Sequence, residues 1–251
     1  MSWLNLVEHH EEVESTMKLA LDRAEAGAPS GTTIVAQSQR AGRGRRGRTW
    51  FSPPNAGLWM TTLVYPKPQA KPHTLSLVTG AALWSAIGNL GFGQAKLKWP
   101  NDIEANGKKL AGILLEHTTL KNQPAKSAIL IGIGLNLSPA KSLDLPADIE
   151  ERYIGLSDLV TQAPHAQVLE EVLRQLEQAT TTWEQDGLSE TFKIWDQADA
   201  LLGETVRALG PDGPIEGIAR GLAPGGQLKL ETSSAELLID AGEVTRIRLK
   251  S

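Results

Sequence analysis

A chain of 251 residues, 41% of them hydrophobic, is long enough to bury one large core, or a large core beside a small one. Its formal net charge of −4 excludes a surface built throughout to embrace nucleic acid, and the lack of cysteine excludes disulfides, thiolate catalysis and cysteine-based zinc sites. The histidines form no metal-ligand pattern, no apolar run approaches membrane-spanning length, and the acidic start (Glu8, Glu11, Glu12, Glu14) is no signal peptide, so a soluble cytoplasmic protein is expected.

Ser15 is placed to cap a helix over 16–26, with Leu19, Ala20 and Ala24 on one face and Gly27 as its stop. Apolar stretches at 32–36 and 58–65 read as strands. Between them lies Gly42-Arg43-Gly44-Arg45-Arg46-Gly47-Arg48-Thr49-Trp50, which with Arg40 puts five arginines in nine positions. Arginine offers a permanently charged, planar fork of donors, and glycine lets the backbone take positive φ and come close to a ligand. Such runs also occur as solvated segments or non-specific nucleic-acid contacts. Here the run is short, flanked by strands and followed by Trp50-Phe51, which can anchor it to a core; that suits a small bound anion. No Gly-Lys-Ser/Thr follows, so it is not a Walker A loop.

A second helix is expected over 74–89, from the spacing of Leu75, Val78, Ala82 and Ile87. In Lys98-Trp99-Pro100-Asn101-Asp102, proline extends the residue before it and Asn-Asp favours a turn, so Lys98 ends a strand beside a sharp bend. That describes equally a surface lysine at a structural turn, or one of two cationic elements closing around one anionic ligand. Asn106-Gly107 is a favoured two-residue turn between strands at 102–105 and 109–116, and 128–137 is a further strand. Gly112, Gly132 and Gly134 mark places where a ligand or backbone can lie close to the sheet, and Asn136 shares a face with Gly134. Gly132-Ile133-Gly134 lacks the third glycine and the helix of a dinucleotide fold. The stripe Val168, Leu169, Val172, Leu173, Leu176 predicts a core helix over 165–186. From Gly203, about five short runs separated by Pro211-Asp212-Gly213-Pro214, Pro224-Gly225-Gly226, Ser233-Ser234 and Ala241-Gly242 predict a small closed or nearly closed β-barrel.

In this order, Ser15-Thr16, Gln39, the Gly42–Arg48 run, Lys98-Trp99-Pro100-Asn101-Asp102, Lys109-Leu110-Ala111-Gly112-Ile113-Leu114 and Gly132-Ile133-Gly134-Leu135-Asn136 resemble the biotin protein ligases. The resemblance implies an α+β fold of the class II aminoacyl-tRNA synthetase/biotin ligase type. A mixed, largely antiparallel sheet flanked by helices would fill residues 1–202, and an SH3-like barrel 203–251. It implies joining of biotin to AMP from ATP, with Mg²⁺ on the phosphates rather than on protein ligands, then transfer to a lysine of a biotin carboxyl carrier protein of acetyl-CoA carboxylase. By resemblance, Lys98, Arg43 and Arg45 are catalytic. Ser15, Thr16, Met17, Gln39, Gly44, Gly112, Leu114, Gly132 and Gly134 join them around biotin, the glycines leaving room for its rings. Arg46, Asn136 and Tyr153 join Arg43 and Arg45 at the nucleotide. Met17 departs from the family, where asparagine commonly follows Ser-Thr. About fourteen residues precede Ser15, too few for the DNA-binding domain of some members, so a ligase alone is expected, as monomer or homodimer. The alternatives are a lipoate or octanoate ligase of the same fold, and a nucleic-acid-binding module using the arginine loop.

Overall fold

The computed structural model describes residues 2–67, 71–159, 164–210, 213–240, 242 and 244–247, with 123–125 and 210 described by backbone only. Among them a seven-stranded sheet runs β1-β2-β3-β7-β6-β5-β4. Its strands are β1 (Val7–Val13), β2 (Thr33–Gln39), β3 (Gly57–Val64), β4 (Lys96–Lys98), β5 (Asp102–Ala105), β6 (Lys108–Leu120) and β7 (Gln123–Asn136). Only β1 and β2 pair in parallel; every other ladder is antiparallel. The expected mixed sheet is therefore present, with one strand, β1, that periodicity did not mark. Its sequence Val-Glu-His-His-Glu-Glu-Val carries too few apolar residues to read as a strand, and as an edge it needs few.

The helices divide between the two faces of the sheet. On one side α2 (Leu75–Asn89), α4 (His165–Asp186) and α5 (Ser189–Ala198) cover the odd-numbered side chains of β7, among them Ile129, Ile131, Ile133 and Leu135. Helix α2 is apolar nearly all round because it is buried between α4 and the sheet. The other side holds α1 (Thr16–Glu25), whose Met17, Ala20 and Ala24 meet Ile34, Leu63, Ala128 and Leu130. One short helix cannot cover seven strands. The part of that face beyond α1 opens onto a cavity whose lining includes Gly112, Gly132 and Gly134. A short α3 (Ala147–Glu150) leads into the segment containing Tyr153.

The C-terminal strands β8 (Thr205–Gly210), β9 (Gly213–Leu222), β10 (Leu228–Glu231), β11 (Glu236–Ile239) and β12 (Val244–Arg246) form a second antiparallel sheet ordered β11-β10-β9-β8-β12. Where a closed or nearly closed barrel is expected, an antiparallel sheet of five short strands is present; among the described residues no ladder joins β11 to β12, whose four and three residues leave little edge to pair. Pro211, Asp212 and Ala241 of the expected turns lie outside the described residues, as do 248–251 of the expected domain. The second sheet is tied to the first by Trp99 Nε1, which donates to the Gly226 carbonyl at 3.0 Å, and by Leu201, Val206 and Ala219, which belong to the main core.

Asn106 and Gly107 both take the left-handed conformation, at φ 52° and 71°, as a two-residue turn of this kind requires. A Cβ at Gly107 would meet nothing within 4 Å. The cost of Gly107→Ala is therefore backbone strain alone, and chemical denaturation should show a loss of about 1–2 kcal/mol.

Candidate active site

The cavity of about 440 Å³ on the open face is lined by all fifteen residues that the sequence nominates: Ser15, Thr16, Met17, Gln39, Arg43, Gly44, Arg45, Arg46, Lys98, Gly112, Leu114, Gly132, Gly134, Asn136 and Tyr153. Arg48, Lys109 and Arg152 line it too, so among the described residues seven cationic side chains face two acidic ones, Asp102 and Glu104. On a chain of net charge −4, this concentration of positive charge is local and builds an anion site.

Three stretches distant in sequence build it. The arginine run is a closed loop whose ends pair: Trp50 N donates to Gly42 O at 2.9 Å and Gly44 N to Arg48 O at 2.7 Å. At its tip Arg46 is held at φ 56°, a conformation that costs a non-glycine residue energy and that concentrates at functional sites. Arg45 Nη1 donates to Asn101 Oδ1 at 2.7 Å, and its Nη2 to Gly242 O at 3.0 Å, so one guanidinium joins the loop to the turn beyond Lys98 and to the C-terminal sheet. Arg43 Nη2 lies 2.8 Å from Glu116 Oε1 on β6.

Lys98 ends β4, as expected, and its Nζ is 2.7 Å from Glu104 Oε1. Burial alone would raise the Glu104 carboxyl pKa; the hydrogen bonds and charges of Lys98 and Arg246 outweigh it and hold the group below the ordinary carboxylate range. Lys109 Nζ sits 2.8 Å from Asp102 Oδ1 and 5.0 Å from the centre of the Trp50 ring, within cation–π range.

The geometry shows what several of the nominated residues touch. Ser15 holds the N-cap position of α1 but its side chain makes no capping bond. Gln39 does that work instead: its Oε1 accepts from Thr16 N at 2.9 Å and Thr16 Oγ1 at 3.1 Å. Its Nε2 donates to Ser52 Oγ at 2.9 Å, Ser52 Oγ donates to Trp50 O at 3.1 Å, and the Thr16 and Thr61 hydroxyls lie 2.8 Å apart. Gly112 and Gly134 make room for Trp50 rather than for an open slot; a Cβ on Gly112 would stand 2.8 Å from Trp50 Cζ3, and one on Gly134 would overlap the indole. At Gly132 the neighbour is Met17 Cε, 2.7 Å from such a Cβ. Asn136 donates to the carbonyls of Lys109 at 3.1 Å and Ile154 at 3.2 Å, so its amide fixes the segment bearing Tyr153. Tyr153 is buried, its hydroxyl donates to Ser138 O at 2.8 Å, and burial, with the nearby Asp158 charge, pushes its pKa up.

Trp50, Asn101, Glu104 and Lys109 are site residues that the sequence did not single out. Lys109 and Asn101 stood inside quoted motifs, and Trp50 was assigned only an anchoring role, whereas nothing local marks Glu104. Among the described residues no group of three or more His, Cys, Asp or Glu side chains could hold a metal ion. Nor is any helix among them long and apolar enough to cross a membrane.

Comparison with known proteins agrees with this geometry. Residues 10–136 match the model of the biotin/lipoate A/B protein ligase family, and residues 201–245 that of the biotin protein ligase C-terminal domain. The chain is 34% identical to a biotin–[acetyl-CoA-carboxylase] ligase of Paracoccus denitrificans, over 92% of this chain and 96% of that one. With the enzyme of the same description from Mycobacterium tuberculosis it shares 31% identity, over 93% and 86%. Among solved structures, a biotin protein ligase from Aquifex aeolicus in complex with biotin and ATP superposes with a TM-score of 0.83 at 27% identity, covering 96% of this chain and 99% of that one.

Because Gly134 lies under the Trp50 indole, Gly134→Ala should displace the root of the arginine loop. The expected outcome is a stability loss of about 1–3 kcal/mol by thermal or chemical unfolding, with a change in Trp50 fluorescence.

Proposed function

The chain belongs to the biotin/lipoate A/B protein ligase family, and from that premise we propose how its residues divide the work. It is a biotin protein ligase: it activates biotin as biotinyl-5′-AMP at the expense of ATP and passes the biotinyl group to a lysine of a carboxyl carrier protein. The full-length relatives named for biotin, and the C-terminal match, favour biotin over lipoate. The inward fold of the arginine loop onto the cavity favours a bound small anion over a nucleic-acid strand.

The chemistry needs what the cavity offers. A biotin carboxylate oxygen attacks the α-phosphorus of ATP, and the bond to pyrophosphate breaks. Two like unit charges about 4 Å apart repel by roughly 4 kcal/mol at an effective dielectric near 20, so cations must be in place beforehand. Lys98 stands at the carboxylate–α-phosphate junction, and Arg43 and Arg45 close over the phosphates, Arg43 exchanging Glu116 for substrate. Ser15, Thr16 and Gln39 face the ureido end of biotin, with Met17 and Leu114 as apolar walls. Gly44 lies with the biotin-side residues, Arg46 lies along the nucleotide, and Asn136 holds Tyr153 against the adenine side. Mg²⁺ would enter as the counter-ion of the phosphates, with no protein residue assigned to it. In the second step the carrier amine attacks the acyl carbon and AMP leaves; no protein nucleophile is needed, only positioning and exclusion of water. Residues 1–202 form the catalytic domain in this reading, and 203–251 a smaller domain of SH3-like barrel type. The single observation that carries it is the Arg45–Asn101 hydrogen bond, which brings the arginine loop to the Lys98 turn.

Incubation with ATP, Mg²⁺, biotin and a carrier domain should add one biotinyl mass to the carrier by mass spectrometry, and lipoate in place of biotin should add nothing. Lys98→Ala should lose on the order of 3 kcal/mol of transition-state stabilisation, roughly a hundredfold in the rate of biotin-dependent pyrophosphate release, with the fold intact by circular dichroism. A near-normal rate in that variant would remove Lys98 from its assigned role.

A further inference from the structure

Lys98 is not alone at its end of β4. Lys96 and Lys98 face Glu104 and Asp102 across the β4–β5 ladder, all four on one side of the sheet. Asp102 is taken by Lys109 at 2.8 Å, which leaves Glu104 as the acid for Lys98. A carboxylate 2.7 Å from Nζ would by itself cancel the charge that the reaction centre needs. The structure avoids this by bringing a second cation from the C-terminal sheet: Arg246 Nη1 donates to Glu104 Oε2 at 2.7 Å. Arg246 is itself fixed, its Nη2 donating to the Ala200 carbonyl at 2.7 Å in the segment joining the two sheets. Glu104 is 6% exposed, and pairing of its two oxygens offsets the cost of burying the charge. Lys98, Glu104 and Arg246 together carry one net positive charge.

We propose that Glu104 and Arg246 are positioning residues for Lys98: Glu104 fixes the direction of the ammonium group, and Arg246 balances Glu104 so that the cluster stays cationic. The C-terminal sheet thereby sets the charge delivered to the carboxylate–phosphate junction. The inference rests on the ligase reading above, and extends it to two residues outside every recognised motif.

The test uses the full chain, with biotin-dependent pyrophosphate release as the readout, in the variants Glu104→Gln, Arg246→Met and Arg246→Lys, alone and combined with Lys98→Ala. Glu104→Gln and Arg246→Met should each lower kcat about tenfold while the KM values for biotin and ATP change by less than about twofold, and Arg246→Lys should recover most of the loss. Joined to Lys98→Ala, neither should lower the rate further, because the residue through which they act is gone. Unaltered kcat in the single variants, a loss confined to KM, or an equal loss with Lys98 already absent would overturn the proposal. Should Glu104→Gln fail to fold, the Arg246→Met and Arg246→Lys pair decides alone, since that side chain is partly exposed. A wild-type chain without biotin-dependent pyrophosphate release would overturn the ligase reading itself, and this inference with it; an active wild type with indifferent variants overturns only the inference.

Discussion

A carboxylate does not approach a triphosphate unless positive charge is already waiting between them, and this protein gathers that charge from segments more than fifty residues apart. The hydrogen bond from Arg45 to Asn101 joins the arginine loop to the bend that presents Lys98, and a second arm of the same guanidinium reaches Gly242. Preorganisation of this kind is worth more than the number of charges, because groups fixed before the reaction need no reorientation during it. The sheet supplies the rigidity. β3 is buried along its whole length, and the long β6–β7 ladder aligns Gly112 with Gly134 and Leu114 with Gly132.

Much of this was legible in the chain, and the reasons differ by element. The turn at Asn106-Gly107 and the helices α1, α2 and α4 declare themselves locally, through left-handed dihedrals that few residues adopt and apolar stripes at helical spacing. The arginine run, Lys98 and the strand glycines stood out by their chemistry, whereas Ser15, Thr16, Met17, Gln39 and Tyr153 were named as site residues only through the resemblance to biotin protein ligases. By contrast β1 was illegible, because an edge strand half-covered by a parallel neighbour can be nearly all charged. Helix α5 was missed as well, for its only buried positions are Thr191, Trp195 and Ala198, too few for a marked stripe. The turn signals announced the five short strands of the second sheet but not which of their edges meet.

The roles of individual side chains were the least visible, because a role depends on what arrives from elsewhere in the fold. Glycines at 112 and 134 announce a close approach but not that Trp50 makes it. Ser15 announces a helix start, yet Gln39, from the next strand, satisfies the first turn. Glu104 is an unremarked acid until Arg246, 142 residues further on, settles against it. Sequence spacing reports geometry well within one element and poorly across two sheets.

Gln39 has a mechanical consequence. Its amide sits in an unbroken run of polar contacts from Thr61 through Thr16 and Ser52 to the Trp50 carbonyl. The trailing root of the arginine loop is thus bolted to the first turn of α1 and to β3. Whatever travel the loop has must be generated ahead of that bolt, by the glycines at 42, 44 and 47. The guanidinium groups are thus presented over the cavity from a fixed anchorage, with Arg45 tied to Asn101 at the far side, rather than trailed on a tether.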